Sequence, residues 1–249
     1  MNTRHLWKLT ALSLALSTPA LAADWRNDGN LKRKKASNAG DMEQAREDGG
    51  FALGLRAGYG IAMGRIARSG DGEGTRLGDL VSGAIPLQVD AGYFFNANIY
   101  LGAYFQYAPV FLADDCPSRT TCSGSQLRFG ANVSYHFRAS EKLRPWLGLG
   151  IGYELLDTQV STTLGTTESA IGMGYRGIEF ASVQGGADYR INDTLSIGPY
   201  VSMTAGVYQT GIARFENVPI LGNGETSVDI EDTAVHAWLS GGLRMQLRF

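Results

Sequence analysis

From Phe51 onward the chain alternates. Phe51, Leu53, Leu55, Ala57, Tyr59, Ile61 and Met63 are apolar or aromatic, and the residues between them are small apart from Arg56. A period of two belongs to a strand, whose successive side chains point to opposite faces. Seven further segments near 83–95, 98–112, 125–138, 143–156, 178–191, 194–209 and 233–249 repeat it. The mean hydropathy of −0.11 excludes a helical membrane protein. It does not exclude one built of strands, because alternation hides an apolar face in the average.

The connections between these strands alternate in length. Asn96-Ala97-Asn98, Ser140-Glu141-Lys142 and Asn192-Asp193 are tight turns, whereas 65–82, 113–124, 157–177 and 210–232 are long. Short turns at one end and long loops at the other are the pattern of a transmembrane barrel, with the turns on the periplasmic side. An internal repeat fixes the register. The stretch from Leu87 to Asn96 aligns with Val183 to Asn192, and the match runs on through Ile99-Tyr100-Leu101-Gly102 against Leu195-Ser196-Ile197-Gly198. Each unit places aromatics beside a short turn, where amphipathic rings settle at headgroup depth.

The odd-numbered residues of every predicted strand form the apolar face. The even face holds Arg56, Gln88, Asp90, Arg128, Glu154, Asp188 and Arg244 among many of the 33 glycines. A soluble barrel would expose that glycine-rich face, which makes a poor strand surface. Turned inward it fits, since eight strands enclose little room for side chains. The expected fold is therefore an all-β, eight-stranded antiparallel transmembrane barrel over 51–249. Its lumen should hold Arg56, Arg128 and Arg244 against Asp90, Glu154 and Asp188, because buried charges must be paired.

The last residues, Trp238 to Phe249, alternate apolar positions and end on an aromatic. This resembles the terminal strand read by the barrel assembly machinery, with Phe249 as the signal. The region from Phe51 to Phe249 resembles the small eight-stranded outer-membrane proteins, the OmpA-transmembrane, OmpX, OmpW and opacity-type group. The resemblance implies the outer membrane of a Gram-negative cell, with outer-membrane lipid, lipopolysaccharide and the assembly machinery as partners. It implies no single activity, because such barrels serve many functions.

The first segment reads as an address. Arg4, His5 and Lys8 precede an apolar run too short to span a bilayer, and Ala20-Leu21-Ala22 ends it as a cleavage site. Residues 1–22 are thus expected to be a signal peptide, and 23–50, with Lys32-Arg33-Lys34-Lys35, a polar periplasmic linker. Export favours a disulfide between Cys116 and Cys122 at an outer loop tip.

A formal charge of −2 excludes a basic nucleic-acid surface, and two cysteines with three histidines offer no four-ligand zinc motif. No cofactor is expected, and no extracellular ligand can be named from the residues. Ser134-Tyr135-His136 reverses the His-x-Ser order of outer-membrane lipid A deacylases, and His236, four before Ser240, has no matched motif. The Ser/Thr-rich stretch 158–169 reads as a solvated loop, and Glu225, Asp229, Glu231 and Asp232 as an acidic one. The expected function is a non-enzymatic barrel with a structural or surface-binding role and a lumen plugged by charge. The alternatives are a narrow pore for small solutes and a lipid-modifying hydrolase.

Overall fold

The computed structural model describes residues 49–68, 74–113, 116, 120–137, 142–164, 167–218 and 222–249. The signal peptide and nearly all of the linker lie outside the described residues, as do Ser140 and Glu141 of one expected turn. The strands are β1 (Gly50–Gly64), β2 (Val81–Ala84), β3 (Leu87–Phe94), β4 (Ile99–Leu112), β5 (Thr120–His136), β6 (Leu143–Leu164), β7 (Thr167–Arg190), β8 (Leu195–Val218), β9 (Gly222–Asp229) and β10 (Val235–Arg248).

These ten strands make eight staves. β2 and β3 are one stave interrupted at Ile85 and Pro86, where proline has no N–H to give a ladder. The Pro86 carbonyl still accepts the Gly58 N–H at 3.2 Å. β9 and β10 lie in succession along β8, which pairs with one at its outer part and the other at its inner part. Sequential antiparallel pairing leads round from β3 to β8, β8 pairs with β10, and β10 pairs back onto β1 from Ala52↔Arg248 to Gly64↔His236. The ring is closed, so no barrel edge is left unpaired.

The two repeats share one turn chemistry. Asn96 Oδ1 accepts the N–H of Asn98 and of Ile99 at 2.8 Å each. Asn192 Oδ1 accepts the N–H of Thr194 at 3.0 Å and of Leu195 at 2.7 Å. Each asparagine thereby closes a tight turn through its own side chain. Above these turns Phe51, Tyr93, Phe95, Tyr135 and Tyr189 stand on the outer surface. Leu55, Leu149, Val183 and Leu243 form an exposed belt beyond them, with Leu101 directly opposite Tyr93 and Tyr59, Tyr107 and Phe129 further up. Such a surface suits hydrocarbon with aromatic girdles at both interfaces.

Three expectations are corrected. First, 158–169 is not a loop: β6 and β7 stay paired out to Leu164↔Thr167. Threonine favours extended backbone, and a hairpin in water needs no apolar period to be a strand. Second, the acidic stretch is largely strand, because β9 pairs with β8 and Glu225 binds Arg214. Third, the odd face does not point outward throughout. Phe180 is an extra residue where the ladder steps from Glu179↔Gly206 to Ala181↔Ala205, and this bulge turns Glu179 inward.

The segment after β1 folds back over the outer mouth. The Ile66 N–H reaches the Thr75 carbonyl at 2.9 Å, and a single helical turn, Leu77–Leu80, leads into β2. Ile66 and Leu77 pack with Val81, Val110, Leu156, Tyr208 and Trp238 in one apolar cluster. Burying Leu77 alone stabilises this cap by about 1.5–3 kcal/mol. Cys116 and Cys122 form a disulfide with Cα atoms 5.8 Å apart, which ties the β4–β5 connection to the start of β5.

Leu149 is 60% and Leu101 48% exposed on the outer surface. Leu149→Arg is expected to cost roughly 2–4 kcal/mol in lipid, and Leu101→Arg, beside the inner aromatics, a smaller amount, both read from denaturant midpoints in vesicles. Wild-type midpoints for both variants would reverse the assignment of faces. The Cys116→Ser, Cys122→Ser double variant is expected to fold and insert like the parent, since the bridge lies beyond the ring. Thiol labelling of the parent should require prior reduction.

Candidate functional site

The even-numbered residues converge on the barrel axis, where they form successive layers. Nearest the short turns, the Phe94 ring lies 5.2 Å from Tyr100 and 5.0 Å from His136, and His136 stacks on Trp146 at 6.1 Å. Arg244 sits 4.3 Å over the Trp146 ring and gives its Nη1 to Asp188 Oδ2 at 3.3 Å. Trp146 Nε1 donates to the other Asp188 oxygen at 3.2 Å. This carboxylate is paired and its ring partners exclude water.

One layer further, Arg56 grips Asp90 with both ends of its fork, Nε to Oδ2 at 2.8 Å and Nη2 to Oδ1 at 3.2 Å. Its remaining nitrogen, Nη1, donates to Gln184 Oε1. Gln88 and Asn132 add donors to Asp90 Oδ1 at 2.9 and 3.2 Å. Asp90 is fully buried, so this full set of donors is what lets it remain in the interior.

Above it, Arg128 pairs with Glu179, its Nε at 2.7 Å from Oε2, and Tyr104 gives its hydroxyl to Oε1 at 3.3 Å. Arg128 was expected among Asp90, Glu154 and Asp188, but none of them is its ion-pair partner. Glu154 instead accepts from neutral donors: Gln126 at 2.9 Å, the Tyr208 hydroxyl at 2.6 Å and Trp238 Nε1 at 2.9 Å. His236 Nε2 lies 3.2 Å from its second oxygen, and the His236 ring stacks on Tyr208 at 3.9 Å. Directly outward comes the apolar cap of Ile66, Leu77 and Leu156.

Of the six residues expected to meet, Arg56 is brought to Asp90 and Arg244 to Asp188. Arg128 and Glu154 are each joined to other groups. Glu179 was missed, yet it carried a signal. A carboxylate between Ile178 and Phe180 on a presumed lipid face is costly enough to demand a register shift. Tyr104, Tyr208 and Trp238 were missed because an inward aromatic looks like packing until its polar end finds a partner.

Neither serine–histidine pair meets an acid in triad geometry among the described residues. Ser134 Oγ lies 3.2 Å from His136 Nε2, but that ring sits between Phe94 and Trp146 and, among the described residues, has no carboxylate hydrogen bond. His236 is bound to Glu154 beneath the apolar cap rather than standing at the rim, and Ser240 lies four residues along the same strand. Among the described residues no group of three or more His, Cys, Asp or Glu is placed to hold a metal. The glycines make room for the large groups. A Cβ added to Gly130 would lie 2.9 Å from Tyr104, and one added to Gly206 3.1 Å from His236.

The outer extension has its own clamp. Arg214 on β8 gives Nη1 to Asp157 on β6 at 2.6 Å and Nε to Glu225 on β9 at 2.9 Å. It crosses β7 at Gly172 and Gly174, where no side chain blocks it. These two hydrogen bonds raise the pKa of the Arg214 guanidinium.

No protein-family model matches the chain, and no curated protein sequence matches it significantly. Solved structures do match. A major outer membrane protein from Thermus thermophilus aligns over 80% of this chain and 99% of its own at 12% identity, with a TM-score of 0.54. Neisserial surface protein A aligns over 80% and 97% at 17% identity and a TM-score of 0.37. Ail, the attachment invasion locus protein of Yersinia pestis, aligns over 80% and 99% at 11% identity and a TM-score of 0.38. At such identities the likeness is one of architecture, and the chain has the fold of the small eight-stranded outer-membrane β-barrel proteins.

Proposed function

We propose that this chain is a non-enzymatic outer-membrane barrel whose lumen is closed and whose work lies at its outer surface. The observation that carries the reading is how little space the charged middle layers of the lumen keep. The void between Arg56, Gln88, Tyr104, Arg128, Asn132 and Glu179 measures about 10 Å³. That is room for roughly one water. An ion file needs a continuous path, and here paired charges in the middle are followed by the apolar cap.

The exterior supports the outer membrane as the site of action, since its apolar belt would be untenable in water. On this reading residues 1–22 direct export and 23–50 remain on the periplasmic side. Phe249 acts as the assembly signal, and its N–H already joins the Phe51 carbonyl at 2.8 Å across the closing seam. The surface role falls to the paired extension of β6, β7, β8 and β9, a rigid platform offered to lipopolysaccharide or to an extracellular partner.

Reconstituted protein is expected to give negligible steady conductance in planar bilayers. Asp90→Ala leaves the Arg56 charge unpaired in a dry interior and is expected to destabilise the barrel by roughly 3–5 kcal/mol without opening a selective path. Glu179→Ala should do the same to Arg128. A reproducible single-channel current from the parent, with selectivity altered by either substitution, would replace this reading with a pore.

A further inference from the structure

The outward face of β1 climbs through Leu55, Ala57, Tyr59, Ile61 and Met63, and the next residue in that phase is Arg65. The phase holds past the end of the strand. The Arg65 N–H still donates to the Val235 carbonyl at 3.1 Å, and Ile66 turns inward to the apolar cap. Arg65 is paired with Arg76 in an antiparallel bridge. Residues directly opposite in such a pair project to the same side. Two exposed guanidinium groups therefore stand side by side just above the lipid-facing column. Like charges directly opposite one another are destabilising. Among the described residues neither arginine has an ion pair or hydrogen bond to its side chain. Arg214, at the same end of the barrel, is held by two carboxylates.

We propose that Arg65 and Arg76 together bind a phosphate group carried by a glycolipid of the outer leaflet. Arginine forks suit phosphate oxygens, and a dianion between them cancels the repulsion. The apolar surface beneath, Ile61 and Tyr59 on β1 with Leu239 on β10, and the exposed Val235 level with Arg65, give the acyl chains a track. The occupant is therefore an amphiphile, with its phosphate at headgroup depth and its chains against the barrel. This site rests on the outer-membrane reading.

The test uses the protein in phosphatidylcholine nanodiscs doped with diphosphorylated lipid A. Retained lipid A per barrel is counted by native mass spectrometry after washing. The parent is expected to retain it. Arg65→Gln and Arg76→Gln should each weaken retention about tenfold, Lys at either position should restore part of it, and Lys142→Gln, at the short-turn end of the barrel, should leave it unchanged. Dephosphorylated lipid A should not be retained, and inorganic phosphate at equal concentration should not displace the lipid. Equal retention by the Arg65→Gln, Arg76→Gln double variant would overturn the site. So would retention of dephosphorylated lipid A, or displacement by free phosphate or by a soluble sulfated oligosaccharide. Failure of the parent to enter nanodiscs at all would instead remove the membrane reading.

Discussion

Hydrocarbon offers no partner to a backbone N–H or C=O, and this governs the molecule. Every ladder must close on another strand, so β10 returns to β1 and the wall has no edge. Closure at eight staves then fixes the internal width, which admits side chains and little else. The interior is a consequence of that width. Some of its large polar groups fit because glycine faces them, as Gly130 faces Tyr104 and Gly206 faces His236.

Within that space, charge is handled in two ways. Asp90, Glu179 and Asp188 each take an arginine, whereas Glu154 takes a glutamine, a tyrosine, a tryptophan and a histidine. The difference follows position. Glu154 lies next to the apolar cap, where a second full charge would lack water on its outer side. The glutamine, tyrosine and tryptophan satisfy the carboxylate while adding no ion.

Much of this was legible in the residues. The period of two located the wall, and the repeat around Asn96 and Asn192 located two turns that share one side-chain device. Arg56 with Asp90 and Arg244 with Asp188 could be expected together because each faces inward in an unbroken phase. Arg128 could not be matched from the apolar period, since its partner changes face at Phe180, and the mark of that bulge is a carboxylate at Glu179 where the period calls for an apolar residue. The extension was read as loop because its strands stand in water on both sides, and periodicity reports only the contrast between two environments. The cap was hidden for a different reason. Ile66 and Leu77 are isolated apolar residues in polar sequence, and only the return of the chain over the mouth gives them neighbours.

The seam between β1 and β10 has a consequence for how the wall comes into being. It joins Ala52 to Arg248, nearly the whole length of the barrel segment, so the pairing that abolishes both edges is the most non-local in the molecule. Non-local pairings carry a large loop-closure cost and form slowly. Until the last dozen residues are available, β1 and β8 present open ladders to any passing strand. Synthesis order thus makes the nascent chain a sheet with two adhesive margins, and escort across the periplasm is as much a requirement of this topology as insertion itself.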